Sequence, residues 1–351
     1  MGIDYKDTFA CIICGTTIYA SDYYWKCSSC GNIWQVDENG IVLMSEDNYF
    51  FGANQEAMNN MLTEINMMSF EQLLEDSERL ENKYKDFNYN YCLNPARADW
   101  TYLGDFSEKT VLDLACGYGS ISIPLSKRAK KIIAIDGTYE RIKFLSIIKR
   151  MKNIDNIIPI HGNVTKIPIK PNSIDDIIMV GLLEYAGYFY KDGSPKSLQI
   201  KYLKYLHHML SENGVLWVGI ENRLSPEHFL GYTHHGDLPY TPLLPSWISN
   251  TVTRIVKSQP YRLRLHTEWG YYSLLKKAGF SKVEILYPFY DYKLPSFIVS
   301  SRKNQLISKY IENTILNVKW KKRIALFLIK YIDKLNLVGI FAPAFFIKAT
   351  K

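Results

Sequence analysis

The sequence has no apolar run approaching the roughly 18 residues that a membrane-spanning helix needs. The stretch that comes closest, Leu335 to Ile347, is interrupted by Pro343. The start, Met1-Gly-Ile-Asp-Tyr-Lys6, has no apolar secretory stretch, and Lys6 stands where a myristoylation motif takes Ser or Thr. A cytoplasmic chain is the expectation, and there cysteines serve as thiols or metal ligands rather than disulfides. Apolar residues are not scarce: 47% of the 351 residues are hydrophobic and 22% charged, which excludes disorder as the dominant state and allows two domains.

Basic charge is missing from the first hundred residues. Residues 1–45 carry a net charge of −3 and 46–100 a net of −7, against +8 over 101–300 and +9 over 301–351. A nucleic-acid reader needs cations on its reading module, because phosphate neutralisation supplies most of the affinity. The first hundred residues have the wrong sign, so a nucleic-acid partner is disfavoured. The basic tail suits an anionic membrane surface or an acidic polymer instead.

Four of the six cysteines stand within the first 30 residues. Two residues separate Cys11 from Cys14 and Cys27 from Cys30, with twelve between the pairs. Gly15 and Gly31 follow the pairs, where glycine lets the backbone turn beneath a metal. Two C-x-x-C knuckles joined by a short hairpin present four thiolates in tetrahedral array, the ligand set of structural Zn2+. Four cysteines leave no coordination position open for catalysis. Metal binding, on the order of 10 kcal/mol, then folds a module too small for a core of its own. A redox C-x-x-C is the competing reading, disfavoured by the second pair and by the lack of a thioredoxin-like βαβ setting. We assign 1–45 to a zinc ribbon, expected to brace the domain behind it or to contact protein. Residues 46–100 read as a helical linker or cap, with Met58, Met61, Leu62, Ile65 and Met68 forming a core stripe.

From Thr110 the pattern changes. Thr110–Leu114, Lys131–Asp136, Ile157–His161, Ile174–Val180 and Gly214–Ile220 read as strands. Helices are expected after Gly119 to about Lys130, from Asp136 to about Lys152, and around Lys196 to Leu210. This βαβ alternation argues for a doubly wound parallel sheet, helices on both faces, with ligands bound beyond the carboxyl ends of its strands. Polar residues fall there. Asp113 precedes a turn with Gly117 and Gly119, which would let a ligand approach the backbone. Ser122 replaces the third glycine of a dinucleotide fingerprint, disfavouring a pyrophosphate cofactor. Asp136 ends the second strand where an acid takes two ribose hydroxyls, Asn163 follows the third where an adenine edge would lie, and Glu184 follows the fourth. The plainer readings are a helix cap for Asp113 and a loop turn for Asn163.

Val111-Leu-Asp-Leu-Ala-Cys-Gly-Tyr-Gly119, Asp136 and Gly162-Asn-Val164 resemble the glycine motif, ribose acid and adenine-edge segment of class I S-adenosylmethionine (SAM) methyltransferases. The resemblance implies a Rossmann-like SAM methyltransferase domain over 101–300. It implies cofactor contacts at Asp113, Ala115, Gly117, Gly119, Asp136, Gly137, Asn163, Val164 and Glu184. The terminal strand pair of that fold would come from Val283–Tyr287 with Phe297–Ser300 or with Phe345–Ile347. A narrower resemblance concerns the acceptor. Met179-Val-Gly-Leu-Leu-Glu-Tyr-Ala186, Gly219-Ile-Glu-Asn-Arg223 and Tyr287-Pro-Phe-Tyr-Asp-Tyr-Lys-Leu-Pro295 look like segments of methyltransferases from bacterial surface-polysaccharide clusters. It implies a hydroxyl on a glycan, nucleotide sugar or related small molecule as methyl acceptor. The alternatives are a zinc-ribbon RNA methyltransferase and a non-catalytic methyltransferase-like scaffold.

Methyl transfer to a hydroxyl is helped by a general base, and His titrates near neutrality. His234 and His235, in a loop after the fifth strand, and Glu184 are the candidate catalytic residues. Surface polarity is the plainer reading of the two histidines, strand-end packing that of His161. No Asn/Asp-Pro-Pro-aromatic run follows the fourth strand, as amino methylation of nucleic-acid bases usually shows, and neither Cys92 nor Cys116 suits a cytosine-C5 nucleophile. Over 301–351, basic residues from Lys319 to Lys334 are interleaved with apolar ones. That tail reads as a basic amphipathic helix, either packed on the domain or peripheral to the inner face of the membrane, and a possible final strand.

Overall fold

The computed structural model of the protein describes residues 7–49, 54–85, 87–190, 192–229, 231–233, 238–289, 291–300 and 338–351. The chain divides into two compact units, one of residues 1–182, 204–217 and 350–351, the other of 183–203 and 218–349. His234 and His235, and the basic tail from Lys319 to Lys334, lie outside the described residues.

The first unit opens with three antiparallel strands, β1 (Ile18–Ala20), β2 (Tyr24–Cys27) and β3 (Ile33–Gln35), in that order. Inward positions alternate along β2, burying Trp25 and Cys27. Phe9 meets Trp25 edge-on, ring centroids 4.6 Å apart. This ribbon is bonded to the rest of its unit: Ala10 N donates to Pro168 O at 3.0 Å, Lys170 N to Thr8 O at 2.9 Å, and the Tyr139 hydroxyl to Asp37 at 2.6 Å. The following segment, β4 (Val42–Leu43), joins the main sheet.

That sheet contains β5 (Thr110–Leu114), β6 (Lys131–Asp136), β7 (Ile157–His161), β8 (Ile174–Val180) and the first part of β9 (Leu210–Glu221), ordered β9-β8-β5-β6-β7-β4. β4 with β7, β7 with β6, β6 with β5, and β5 with β8 all run parallel. Strands covered on both faces read as near-continuous apolar runs, which is why β5 to β8 coincide with their expected limits. β9 starts four residues earlier than expected, directly after the helix Pro195–Met209. The chain therefore has a doubly wound, Rossmann-like parallel sheet, with an N-terminal four-cysteine ribbon.

One helical expectation needs correction. The stretch after Gly119 is helical only over Ser122–Leu125 and continues as turns. The segment 46–100 is broken into helices Gln55–Asn66, Phe70–Glu75, Ser77–Lys83 and Tyr89–Cys92 and a 3-10 stretch, Pro95–Leu103. The breaks follow the caps: Asn54, Ser69, Asn88 and Asn94 each accept a backbone N–H of a new first turn, Ser69 in a reciprocal box with Gln72. Met58, Met61, Leu62 and Ile65 are core, packed with Tyr118, Phe144 and Ile148 in one apolar cluster.

In the second unit the strand order is β11 (Phe297–Val299), β10 (Lys282–Phe289), β12 (Ala344–Thr350) and the end of β9. β10 and β11 are antiparallel, with Phe289 stacked on Phe297 at 4.9 Å. Both partners expected for 283–287 are thus present, one on each side.

Candidate functional site

At the carboxyl ends of β5 and β8, a cleft is lined by Tyr91, Arg97, Asp113, Ala115, Gly117 and Val180 among others. The turn that opens it has φ of 53° at Ala115, 56° at Gly117 and 79° at Gly119. A side chain at Gly117 would enter open space, with only the Tyr91 hydroxyl 4.0 Å away, so here glycine exposes backbone to a ligand. Gly119 also has a packing role. A Cβ there would lie 2.5 Å from Leu145 Cδ1, so the absence of a side chain admits the helix Tyr139–Met151.

Asp136 is nearly buried and accepts Gly117 N at 2.9 Å on one oxygen and Thr138 N at 2.8 Å on the other. A carboxylate has about four acceptor sites, which leaves capacity for a diol. Asp113, also buried, accepts the Ser122 hydroxyl at 2.6 Å. Ser122, where a dinucleotide fold keeps glycine, thus supports the acid. Burial pushes the Asp113 carboxyl up to about 7, against the ordinary 3.8; the Asp136 charge adds to the rise, while Ser122 and Arg97 oppose it.

Arg97, which sequence reasoning missed, sits on the 3-10 stretch with its guanidinium 4.4 Å from the Tyr91 ring centre. It is 7% exposed, and its Nε has no hydrogen-bond partner among the described residues. A second missed residue is Tyr49. Its N–H donates to Gly137 O at 3.0 Å, its carbonyl accepts the Thr138 hydroxyl, and its hydroxyl accepts Asn163 Nδ2 at 3.3 Å. Its ring lies 2.8 Å from the point a Cβ on Gly137 would occupy. Tyr49 therefore spans Gly137 and Asn163, the loops after β6 and β7. Asn163 also closes its own turn, accepting Thr165 N at 2.9 Å, beside a partly buried Val164. His161 packs at its strand end, with Nε2 3.2 Å from Gly137 O.

Glu184 belongs to the second unit and is fully buried in the 3-10 turn Leu183–Gly187. Its charge, with that of Glu221, bears on the buried phenols of Tyr271 and Tyr292, both pushed well above their ordinary range chiefly by burial. The Tyr271 hydroxyl donates to Glu221 O at 3.0 Å. Nearby, His266 Nε2 meets Gln199 Oε1 at 2.8 Å, and burial lowers its imidazole to about 3, so it is neutral at physiological pH. Glu184, Glu221 and Tyr292 come from the three segments separated in sequence as 179–186, 219–223 and 287–295.

In the ribbon the four sulfurs of Cys11, Cys14, Cys27 and Cys30 lie within 4.8 Å of one another, with Cys11 3.6 Å from Cys30 and Cys14 3.4 Å from Cys27. Tetrahedral ligands at about 2.3 Å from Zn2+ would stand about 3.8 Å apart. Donors surround the sulfurs: Asn32 Nδ2 reaches Cys30 at 2.9 Å, Ser29 N and Cys30 N reach Cys27 at 3.4 Å, and Ile13 N reaches Cys11 at 3.4 Å. Such N–H groups favour thiolate over thiol, and the donor set fits Zn2+. Gly15 and Gly31 have φ of 75° and 73°, the left-handed turns expected under each knuckle.

Among curated proteins, 77 residues are 40% identical to an uncharacterized RNA methyltransferase of Clostridium acetobutylicum, covering 21% of this chain and 17% of that one. A ubiquinone biosynthesis O-methyltransferase of Rickettsia canadensis is 22% identical over 177 residues, 48% of this chain and 70% of that one. A 23S rRNA (uracil(1939)-C(5))-methyltransferase of Vibrio parahaemolyticus is 35% identical over 63 residues, 18% of this chain and 14% of that one. The chain thus spans less than a fifth of the two RNA methyltransferases. A solved structure, a putative S-adenosylmethionine dependent methyltransferase of Listeria monocytogenes, aligns at TM-score 0.44 and 18% identity, over 73% of this chain and 97% of that one. Residues 105–236 match the family model described as "Methyltransferase domain". The turn after β5 and the acid ending β6 both lie inside that match, so residues 105–236 are similar to a methyltransferase domain.

Proposed function

We propose that the protein is a SAM-dependent methyltransferase that methylates a hydroxyl of a glycan, nucleotide sugar or related small molecule, braced by a structural Zn2+ in its ribbon. The observation that carries the cofactor reading is the Gly117 amide fixed on the Asp136 carboxylate, beside an open glycine face and the buried pair Asp113 and Arg97. SAM supplies a methyl already activated on a sulfonium, so the chain must align the acceptor and exclude water. Asp136 binds the ribose diol and Tyr49 walls the adenine edge with Asn163. Asp113 takes the methionine ammonium and Arg97 its carboxylate, an assignment that uses the otherwise unmatched guanidinium Nε.

For the acceptor, what supports a hydroxyl is the convergence of Glu184, Glu221 and Tyr292 from the three segments that resemble polysaccharide methyltransferases. A buried carboxylate there would take the hydroxyl proton. Uracil-C5 chemistry is disfavoured because burial pushes the Cys92 thiol up to about 12 and Cys116 well above its ordinary range, which withholds a nucleophilic thiolate.

Two measurements test this reading. Asp136→Ala is expected to weaken SAM binding by about 1–3 kcal/mol, from lost charge-assisted hydrogen bonds; unchanged affinity refutes the ribose assignment. Labelled SAM incubated with glycan, RNA, protein and lipid fractions should mark the glycan or small-molecule fraction, and label in RNA alone rejects the acceptor class.

A further inference from the structure

The helix Ser246–Lys257, in the second unit, is built inside out. Its buried positions are Ser249 and Thr253, whereas Trp247, Ile255 and Val256 are 72%, 77% and 61% exposed. At about 100° per residue, Trp247, Ile248, Val252, Ile255 and Val256 share one half of the helix circumference. Polar bonds hold the opposite side to the unit. Ser249 Oγ donates to Thr241 O at 2.8 Å and Tyr261 N to Asn250 Oδ1 at 3.1 Å. Arg264 reaches the Ser246 hydroxyl, and Arg223 binds the carbonyls of Pro242, Leu243 and Leu244 that lead into the first turn. A helix anchored through its polar side and presenting its apolar side to solvent is arranged for contact with something beyond the described residues.

We propose that this helix docks the protein on an anionic lipid bilayer. Charge selects that occupant. From Leu238 to Thr267 there is no Asp or Glu, while Arg254 and Lys257, both exposed, lie on the helix. Trp beside aliphatic side chains, flanked by cations, is the composition of a helix lying in the headgroup region. A handful of exposed side chains also falls short of the about 800 Å2 per partner that a stable protein interface buries. The contact is peripheral, since no helix among the described residues is long and apolar enough to cross a membrane.

The test is flotation of the full chain with phosphatidylcholine vesicles, with and without phosphatidylglycerol. The protein is expected to rise with the anionic vesicles. Ile255→Glu with Val256→Glu, both at exposed positions, should lower binding at least about tenfold, and Arg254→Glu or Lys257→Glu about fivefold each. An unchanged melting temperature shows that these variants fold. Failure of the chain to float overturns the proposal. So does undiminished flotation of the Ile255/Val256 variant, which would place lipid contact elsewhere, or self-association lost in that variant without any vesicle binding. Vesicle binding is read without methyl transfer, so this result and the acceptor assay fail independently.

Discussion

The Asp113 carboxyl should make cofactor binding strongly pH-dependent. Its pKa of about 7 in the folded chain, against 3.8 ordinarily, corresponds to about 4 kcal/mol at about 1.4 kcal/mol per unit. Because the folded value is raised, the native state holds a proton that the unfolded chain has lost between about pH 4 and pH 7, so this group's contribution to stability is lost as pH rises through 7. A cationic ligand beside the carboxylate reverses the preference and expels the proton. In that window affinity should therefore rise with pH, by up to about a hundredfold from pH 5 to pH 8 if the bound carboxyl returns to its ordinary range. Calorimetry with S-adenosylhomocysteine, which keeps the ammonium, in buffers of different ionisation enthalpy should register about half a proton released at pH 7. Asp113→Asn keeps an acceptor for Ser122 but cannot titrate, so it should flatten the part of the pH dependence that exceeds the ligand's own. No proton release from the wild type, or an identical slope in the variant, refutes the placement of the ammonium at Asp113.

Metal removal by a strong chelator, or Cys27→Ser, should unfold the ribbon while β5 to β8 persist; amide exchange read by mass spectrometry checks this, and full ribbon protection in metal-free protein counts against the zinc site. Tyr49→Ala should weaken S-adenosylhomocysteine about fivefold, roughly 1 kcal/mol of lost aromatic contact, and unchanged affinity would remove Tyr49 from the adenine wall. Gly119→Ala places a methyl against Leu145 at positive φ and should cost about 1–3 kcal/mol, visible as a lower melting temperature. Adding Leu145→Ala should relieve that clash, so the double variant should lose less than the sum of the two single losses; simple additivity would refute the packing role.

The strands were legible because each is a short, mostly apolar run, closed by a polar residue in Lys131–Asp136 and Ile157–His161, and burial on both faces leaves little freedom in their limits. The knuckles were legible from spacing alone. Arg97 and Tyr49 were not, since Arg97 reaches the cleft, and Tyr49 the loops after β6 and β7, from segments well before the glycine turn, and a lone Arg or Tyr in a polar stretch has no local signature. The same holds for β4, whose two residues are recognisable only by their pairing with Ile160 and His161. The helix breaks over 46–100 were visible in principle, because Ser69 and Gln72 spell a capping box, yet the Met stripe spans the first of them. Gly119 shows a limit of another kind: a glycine required by a neighbouring helix looks, in sequence, like one required by a ligand.

The placement of β4 has a consequence for any shortened form of the protein. β7 is buried at all five positions, Ile157 to His161, and on one side its backbone partner is β4, outermost in the sheet. A version trimmed to the match at 105–236 would bare that apolar margin, with only Pro159 to discourage another chain from adding to it. Such a fragment is expected to aggregate, and expression attempts should retain everything from the first knuckle onward.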